Sequence, residues 1–302
     1  MPRWLIAAIL AVLSWGVWAI LSRFIGETIS AAQSQALSTL GLLPVMIALS
    51  CSKKLTTTAT GERRKGIIAG FAAGLCGCLG NISYYHALNM GEKASTVIPL
   101  TAMYPLVTIV LAMILLRERI NPVQCVGIVL SLAAIYLFNI TSVKGVFSAW
   151  LVYALLPILF WGVAGLLQKV STNHISGEFS TLWFHAAFLP VALVILLVQP
   201  LQGQLAPRIW VLVTALGLFF SLGNLAILAA FASGGKASIV APLTALYPAV
   251  SIPLAIAFFS EKIGVREGSA IAIALLSVAA LAWERPPRMI LSEEKAFNEI
   301  HR

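Results

Sequence analysis

Thr101, Tyr104 and Thr108 stand at i, i+3 and i+7 of one apolar stretch, and Thr244, Tyr247 and Ser251 repeat that spacing 143 residues later. On a helix each trio makes a single stripe of hydroxyls. Such a stripe is costly against lipid, so it belongs inside a bundle. There it either bonds helix to helix, as Ser and Thr do in membranes, or lines a cavity for a solute. Both trios sit in near-copies of one motif, "GEKASTVIPLTAMYPLV" (91–107) and "GGKASIVAPLTALYPAV" (234–250), identical at twelve of seventeen positions.

Pro99, Pro105, Pro242, Pro248 and Pro253 fall inside these apolar runs. Each removes a donor and frees the carbonyl four residues earlier, here those of Ser95, Thr101, Ser238, Thr244 and Ala249. In hydrocarbon a freed carbonyl is tolerated only where protein or a water-filled cavity satisfies it. Lys93 and Lys236 open the two motif helices, where a cation opposes the helix dipole. They either snorkel to headgroups or attract an anionic solute group at each mouth. Asn81, Tyr85 and Asn89 form a stripe at spacing four; the second half keeps Asn224 but has Leu228 and Ala232 at the next two places. One polar and one apolar wall would suit an amphipathic metabolite. Trp15 and Trp161, each followed by Gly, hold equivalent mid-helix places and either stack on a solute or pack. Trp4, Trp150 and Trp210 begin apolar segments and read as interfacial anchors. His86 shares a face with Leu75, Leu79 and Ile82 and reads, like His185, as a packed core histidine.

Other chemistries are excluded by what is missing. All eleven acids are Glu, so no Asp is present for a catalytic pair, a metal site or a triad. The sequence lacks H-E-x-x-H, G-x-S-x-G and a P-loop; it reads as a non-enzyme that needs no cofactor or metal and does not use ATP. Cys76 and Cys78 point about 160° apart on a helix, and with Cys51 and Cys125 they read as packing residues. No Glu lies deep in an apolar run, whereas proton-coupled carriers hold an intramembrane ionisable group. Facilitated diffusion or exchange, or coupling through a Glu or Lys at a segment end, is therefore favoured over a buried carboxylate relay.

The elements that must hold these residues are membrane spans. The chain has 302 residues, 60% hydrophobic and 10% charged, against roughly a quarter charged in soluble domains. Apolar runs of spanning length occupy 4–23, 31–52, 66–88, 94–116, 122–140, 149–169, 179–199, 209–232, 237–259 and 268–284. The tail at 285–302 is polar. "SWGVWAILSR" (14–23) is echoed by "FWGVAGLLQK" (160–169), so the first run belongs to a repeated unit and not to a cleaved leader. Fourteen of the 20 Lys and Arg residues fall on the side of the two termini and six on the other, which places both termini in the cytoplasm. The net charge of +9 follows that topology and not a nucleic-acid-binding face. Five spans per repeat is an odd number, so the second repeat enters the bilayer upside down. The expected fold is an all-α polytopic membrane protein, ten transmembrane helices arranged as two inverted five-helix repeats at 1–140 and 149–284. This is an arrangement of secondary transporters.

The two copies of G-x-K-A-S-x-V-x-P-L-T-A-x-Y-P, followed by "LLRERI" (115–120) and "FFSEKI" (258–263), resemble the EamA-type members of the drug/metabolite transporter superfamily. Pro105, Pro248, Glu118 and Glu261 match that pattern best, and the resemblance covers nearly the whole chain. It implies a basket of helices around a central cavity and export or exchange of amino acids, other metabolites or drugs. The expectation is an inner (plasma) membrane carrier of a small organic metabolite such as an amino acid, working by alternating access. Uptake or exchange of sugars or of phosphorylated, anionic metabolites is the alternative. Its partners are the solute, the lipid bilayer and a proton or counter-substrate; monomer and homodimer both remain open. Substrate-binding residues are expected among Thr101, Tyr104, Thr108, Thr244, Tyr247, Ser251, Asn81, Tyr85, Asn224, Trp15, Trp161, Lys93 and Lys236.

Overall fold

The structure, a computed structural model, describes residues 2–58, 61–90, 93–117, 121–139, 149–281 and 283. The tail at 285–302, Glu92, Glu118 and Glu284 lie outside the described residues. The chain runs through α1 (Arg3–Ile25), a 3-10 turn (Gly26–Thr28), α2 (Ala31–Ser50), α3 (Arg63–Asn89), α4 (Ala94–Thr101), α5 (Pro105–Leu115) and α6 (Pro122–Asn139). It continues through α7 (Ala149–His174), α8 (Gly177–Ala186), α9 (Phe188–Val198), α10 (Pro207–Ala232), α11 (Ala237–Thr244), α12 (Pro248–Phe259) and α13 (Val265–Leu281). Among the described residues there is no strand, only an isolated bridge between Thr57 and Ile175.

Eight stretches are long and apolar enough to cross a membrane, among them Ala94–Leu115, Gly177–Val198 and Ala237–Phe259, each built of two helices in line. Pro122–Ala134 and Gly268–Leu281 are shorter apolar stretches. Large apolar side chains point outward: Leu197 is 72% exposed, Val198 73% and Val211 68%. In water such a surface would drive aggregation; in a bilayer it is the lipid-facing coat. The protein is a multi-pass membrane protein.

The prolines act more selectively than the sequence suggests. The helix runs straight through Pro99, Pro242 and Pro253, and also through Pro44 of α2 and Pro157 of α7. It breaks at residues 102–104 ahead of Pro105, at 245–247 ahead of Pro248, and at Ala187 ahead of Pro190. The first two breaks are tightened turns, since Ala102 and Tyr104 keep right-handed helical angles. The Thr101 carbonyl, robbed of the Pro105 amide, accepts from Tyr104 N at 3.3 Å; that of Thr244 accepts from Tyr247 N at 3.4 Å. Of the two expected sources, protein or a water-filled cavity, it is the protein's own backbone that serves these carbonyls, through a local 3-10 contact. The Ser238 carbonyl, freed by Pro242, receives Gln124 Nε2 from α6 at 3.5 Å.

Helices of the two halves pack in exchanged pairs. α1 lies along α10 as α7 lies along α3; α2 crosses α10 as α8 crosses α3; α5 meets α11 as α12 meets α4; and α6 lies on α13. At the α2–α10 crossing the backbones touch: a methyl group on Gly217 would run into the Ser38 carbonyl, and one on Gly41 into the backbone at Thr214. Small residues that let backbones approach are what binds helices where lipid supplies no hydrophobic drive. Gly217→Val should therefore cost about 3 kcal/mol through overpacking, seen as loss of the monodisperse peak of detergent-purified protein. Gly203→Ala, where an added methyl meets no atom within 4 Å, should keep that peak despite its left-handed backbone.

Candidate functional site

The two tightened turns meet at the centre of the molecule and exchange hydroxyls. Thr101 Oγ1 donates to Ile98 O at 3.0 Å and lies 3.4 Å from Tyr247 OH. Reciprocally, Tyr104 OH lies 3.1 Å from Thr244 Oγ1 and donates to Ala241 O at 3.2 Å, while Tyr247 OH reaches Ile98 O at 3.5 Å. Ile98 and Ala241 hold the same place in the two motifs, so each tyrosine caps the other half-helix in the same manner. Thr108 Oγ1 donates to Gly162 O at 2.9 Å, and Ser251 Oγ to Tyr247 O at 3.3 Å. Thr101, Thr108, Thr244 and Ser251 are all fully buried.

The rings of the two tyrosines open onto a cavity of about 50 Å³. Two edge-to-face pairs frame it, Trp15 with Tyr247 (centroids 6.5 Å, 84°) and Trp161 with Tyr104 (6.3 Å, 88°). Each tryptophan lies against a glycine of the opposite half, Trp15 on Gly223 and Trp161 on Gly80, which explains why those α10 and α3 positions carry no side chain. Trp18, Phe184 and Phe220 add aromatic wall; Ala164, Gly165, Gly77 and Ile227 add small or aliphatic wall; Gln168 and Asn224 are the amides. Trp18 is central to the cluster, 5.7 Å from Trp161 and 5.5 Å from Phe220. No Lys, Arg, Glu or His lines the cavity among the described residues.

The halves differ in how they use equivalent amides. Trp161 Nε1 donates to Asn81 Oδ1 at 3.2 Å. In the other half, Asn224 Oδ1 accepts from Gln168 Nε2 at 3.1 Å instead, and Trp15 Nε1 is buried with no partner. Gln168 is the cause, for its counterpart in α1 is Ser22, whose hydroxyl is spent on Ala19 O at 2.8 Å.

At the ends of the spans the halves are tied together. Ser260 after α12 adopts the left-handed region (φ 51°), as does Arg117 after α5 (φ 55°). The sharp turn at Ser260 brings Glu261 over the start of α4, where its two oxygens accept from Ala94 N and Ser95 N, both at 2.9 Å. A carboxylate there answers both the free amides and the helix dipole. Lys93 Nζ donates to Lys262 O at 2.8 Å in the same cluster. Within each half, Arg23 Nη1 donates to Leu88 O and Lys169 Nζ to Gly235 O. Ser30 and Ser176 hold the same place in the two halves and cap α2 and α8. Each also binds a segment of the opposite half, Ser30 Oγ to Gln199 Oε1 and Ser176 Oγ to Lys54 O.

Of the residues expected at a binding site, Tyr104, Tyr247, Trp15, Trp161 and Asn224 line the cavity. Thr101, Thr108 and Thr244 stand behind it in contacts between helices, and Ser251 bonds back to Tyr247 O of its own segment. Asn81 reaches it only through Trp161, and Tyr85 accepts from Trp18 Nε1 at 3.1 Å behind the ring wall. The polar wall expected along α3 is thus turned into a second layer, and the amides on the cavity come from α7 and α10. Lys93 sits at the mouth of α4, and Lys236 lines a separate hollow with Trp4 and Gly235. His86 is not in the core: Leu75 and Leu79 on its face are 38% and 48% exposed, and its ring meets Tyr153 at 4.2 Å. His185 is fully buried, with Nδ1 3.4 Å from Ser221 Oγ. Trp18, Gln168, Phe184 and Phe220 were missed; Trp18 at i+3 from Trp15 and Gln168 at i+7 from Trp161 carried a helical-face signal.

Two outcomes follow from these bonds. Tyr104→Phe and Tyr247→Phe should each lower stability by about 1 kcal/mol, and the double variant should lose about the sum, because the two hydroxyls have no bonding partner in common; thermal unfolding of the four proteins measures the cycle. Glu261→Ala should cost about 1 kcal/mol and make the start of α4 more open to hydrogen exchange than the start of α11.

The EamA-like transporter family model matches residues 2–140 and again 148–283. The uncharacterized protein MJ1333.1 of Methanocaldococcus jannaschii is 27% identical over 138 residues, which is 46% of this chain but 97% of that protein; it is about one repeat long. A crystal structure described simply as that of a protein superposes with TM-score 0.67 at 18% identity, covering 91% of this chain and 94% of the other, so the two share a fold. With two matches that together take in nearly its whole length, this chain belongs to the EamA-like transporter family.

Proposed function

We propose that the chain is a secondary carrier that moves a small organic metabolite across the membrane by alternating access, through export or exchange. The observation that carries this reading is the reciprocal crossing of α4/α5 and α11/α12 over a central aromatic cavity. Each contact at that crossing recurs with the halves exchanged: Tyr104 on Ala241 and Tyr247 on Ile98, Trp15 on Gly223 and Trp161 on Gly80. Such exchange is what two inverted repeats, 1–140 and 149–284, would produce, with ten spans and the tail at 285–302 on the side of the N-terminus. The basic-residue asymmetry supports both termini being cytoplasmic, and the bilayer in this reading is the inner (plasma) membrane. Membership of a transporter family supports reading the chain as a carrier and not as an enzyme.

A carrier needs two states of comparable energy, and the repeat provides them. The tie made by Glu261 at the start of α4 would break to open one mouth. The present cavity, about 50 Å³, holds on the order of a few waters, so this conformation is contracted around the site. Amino acids, sugars and anionic metabolites are the classes to discriminate, in either direction of flow. The aromatic, uncharged lining supports a neutral cargo over a phosphorylated one, because an unpaired charge pays heavily on leaving water.

Counterflow in proteoliposomes tests the reading: solute loaded on one side should drive uptake of tracer from the other. Tyr247→Ala and Trp161→Ala should each lower the initial counterflow rate at least tenfold while inserting normally. Tags at the N- and C-termini should both be reached from the cytoplasmic side in cells. Tags on opposite sides would end the inverted-repeat arrangement.

A further inference from the structure

The carrier reading leaves open what chemistry the cavity selects, and the asymmetry between its halves addresses that. Trp161 and Trp15 hold equivalent places, yet only Trp161 finds an acceptor, Asn81 Oδ1 at 3.2 Å. Asn224 stands where it could serve Trp15 in the same way, but its Oδ1 is taken by Gln168 Nε2 at 3.1 Å and its Nδ2 by Phe220 O at 2.9 Å. Trp15 Nε1 is left as a buried donor without a partner. An unpaired buried donor is destabilising, and a carrier gains specificity from such a group when the solute supplies the missing acceptor. Gln168, having given its Nε2 away, keeps Oε1 as its acceptor.

Around these two groups the wall is aromatic. Trp18 and Phe220 of one side answer Ala164 and Gly77 at the equivalent places of the other. The ring of Phe184 packs into the space at Gly77, and a flat ring seated against Ala164 would lie among aromatic faces and edges. No carboxylate, ammonium, guanidinium or imidazole lines the cavity among the described residues to neutralise a charged cargo.

Resting on the carrier reading above, we propose that the site selects an uncharged, planar nitrogen heterocycle or aryl amide. Its ring lies in the aromatic slot, an acceptor atom takes the N–H of Trp15, and a donor faces the Gln168 amide. Amino-acid zwitterions and phosphorylated metabolites are disfavoured as cargo.

Binding is read on the full-length chain in detergent by thermal shift and by calorimetric titration, with adenine and nicotinamide as probes. Phenyl phosphate, L-leucine and glucose 6-phosphate serve as the anionic, zwitterionic and sugar comparators. At least one heterocycle should stabilise the protein saturably and the comparators should not. Trp15→Phe, which keeps a ring but removes the N–H, should raise the Kd of that heterocycle about tenfold. Trp210→Phe, at the half-exposed start of α10, should leave it within twofold. Gln168→Leu should weaken binding, and Gln168→Asn should recover part of it. Preference for a charged or zwitterionic comparator, binding of none of the five compounds, or a Kd indifferent to Trp15→Phe would each overturn the proposal. Counterflow separates the two levels of inference. A heterocycle that binds through Trp15 but shows no counterflow defeats the carrier reading and leaves the site; counterflow of L-leucine without heterocycle binding does the reverse.

Discussion

A helix broken inside a bilayer must return every freed carbonyl to a donor, because no water is there to take it. The arrangement at the centre of this protein follows from that constraint. Pro105 and Pro248 each remove an amide, and the chain responds by tightening one turn so that Tyr104 N and Tyr247 N reach the bereft carbonyls of Thr101 and Thr244. The tightening also sets the direction of the tyrosine side chains. Each phenol crosses to the opposite half and reaches the last turn of the other half-helix, at Ala241 or Ile98. Backbone repair and the joining of the halves are therefore one structure, made twice.

This double use explains why the seventeen-residue motif is kept nearly intact in both halves. The proline makes the turn, and the tyrosine three residues after the threonine spans the interface. The threonine meets the tyrosine of the other copy. The alanine and serine after the lysine start a short half-helix, which for α4 receives the Glu261 carboxylate. A change to any one of these positions disturbs both its own half and the opposite one. The motif residues that look chemical by type, the buried Thr101 and Thr244 among them, are mostly consumed by this scaffold, and what they leave for a solute is ring surface.

Much of that was legible in the sequence, and the remainder was hidden for definite reasons. The repeat, the spans, the tyrosine stripe and the paired tryptophans all show in one-dimensional spacing. The effect of each proline does not: Pro44, Pro99, Pro157, Pro242 and Pro253 are absorbed without a break, whereas Pro190 marks a break that no motif announced. Whether a proline breaks a span depends on the donors that neighbours can offer, as Gln124 does for Ser238, and those lie far off in sequence. Trp18, Phe184 and Phe220 meet only through tertiary packing. Asn81 and Asn224 look alike along the chain, and only the proximity of Gln168 gives them different partners.

That difference is the step from scaffold to selectivity. A symmetric pair of repeats would offer the same groups to both walls of its cavity and could move between its two states without favouring any cargo. Here the two crossing turns and the two Trp–Tyr pairs remain symmetric, preserving the equivalence that a two-state carrier needs, while Trp18, Phe220 and Gln168 have Ala164, Gly77 and Ser22 at the equivalent places. Bulk is thus shifted to the α1 and α10 side of the cavity, and the extra amide to α7, without touching the bonds that hold the halves together. Substitution at those few positions alters the cavity wall and leaves the hydroxyl crossing as it is, because Trp18, Phe220 and Gln168 make none of the bonds that carry Tyr104 and Tyr247 to the opposite half.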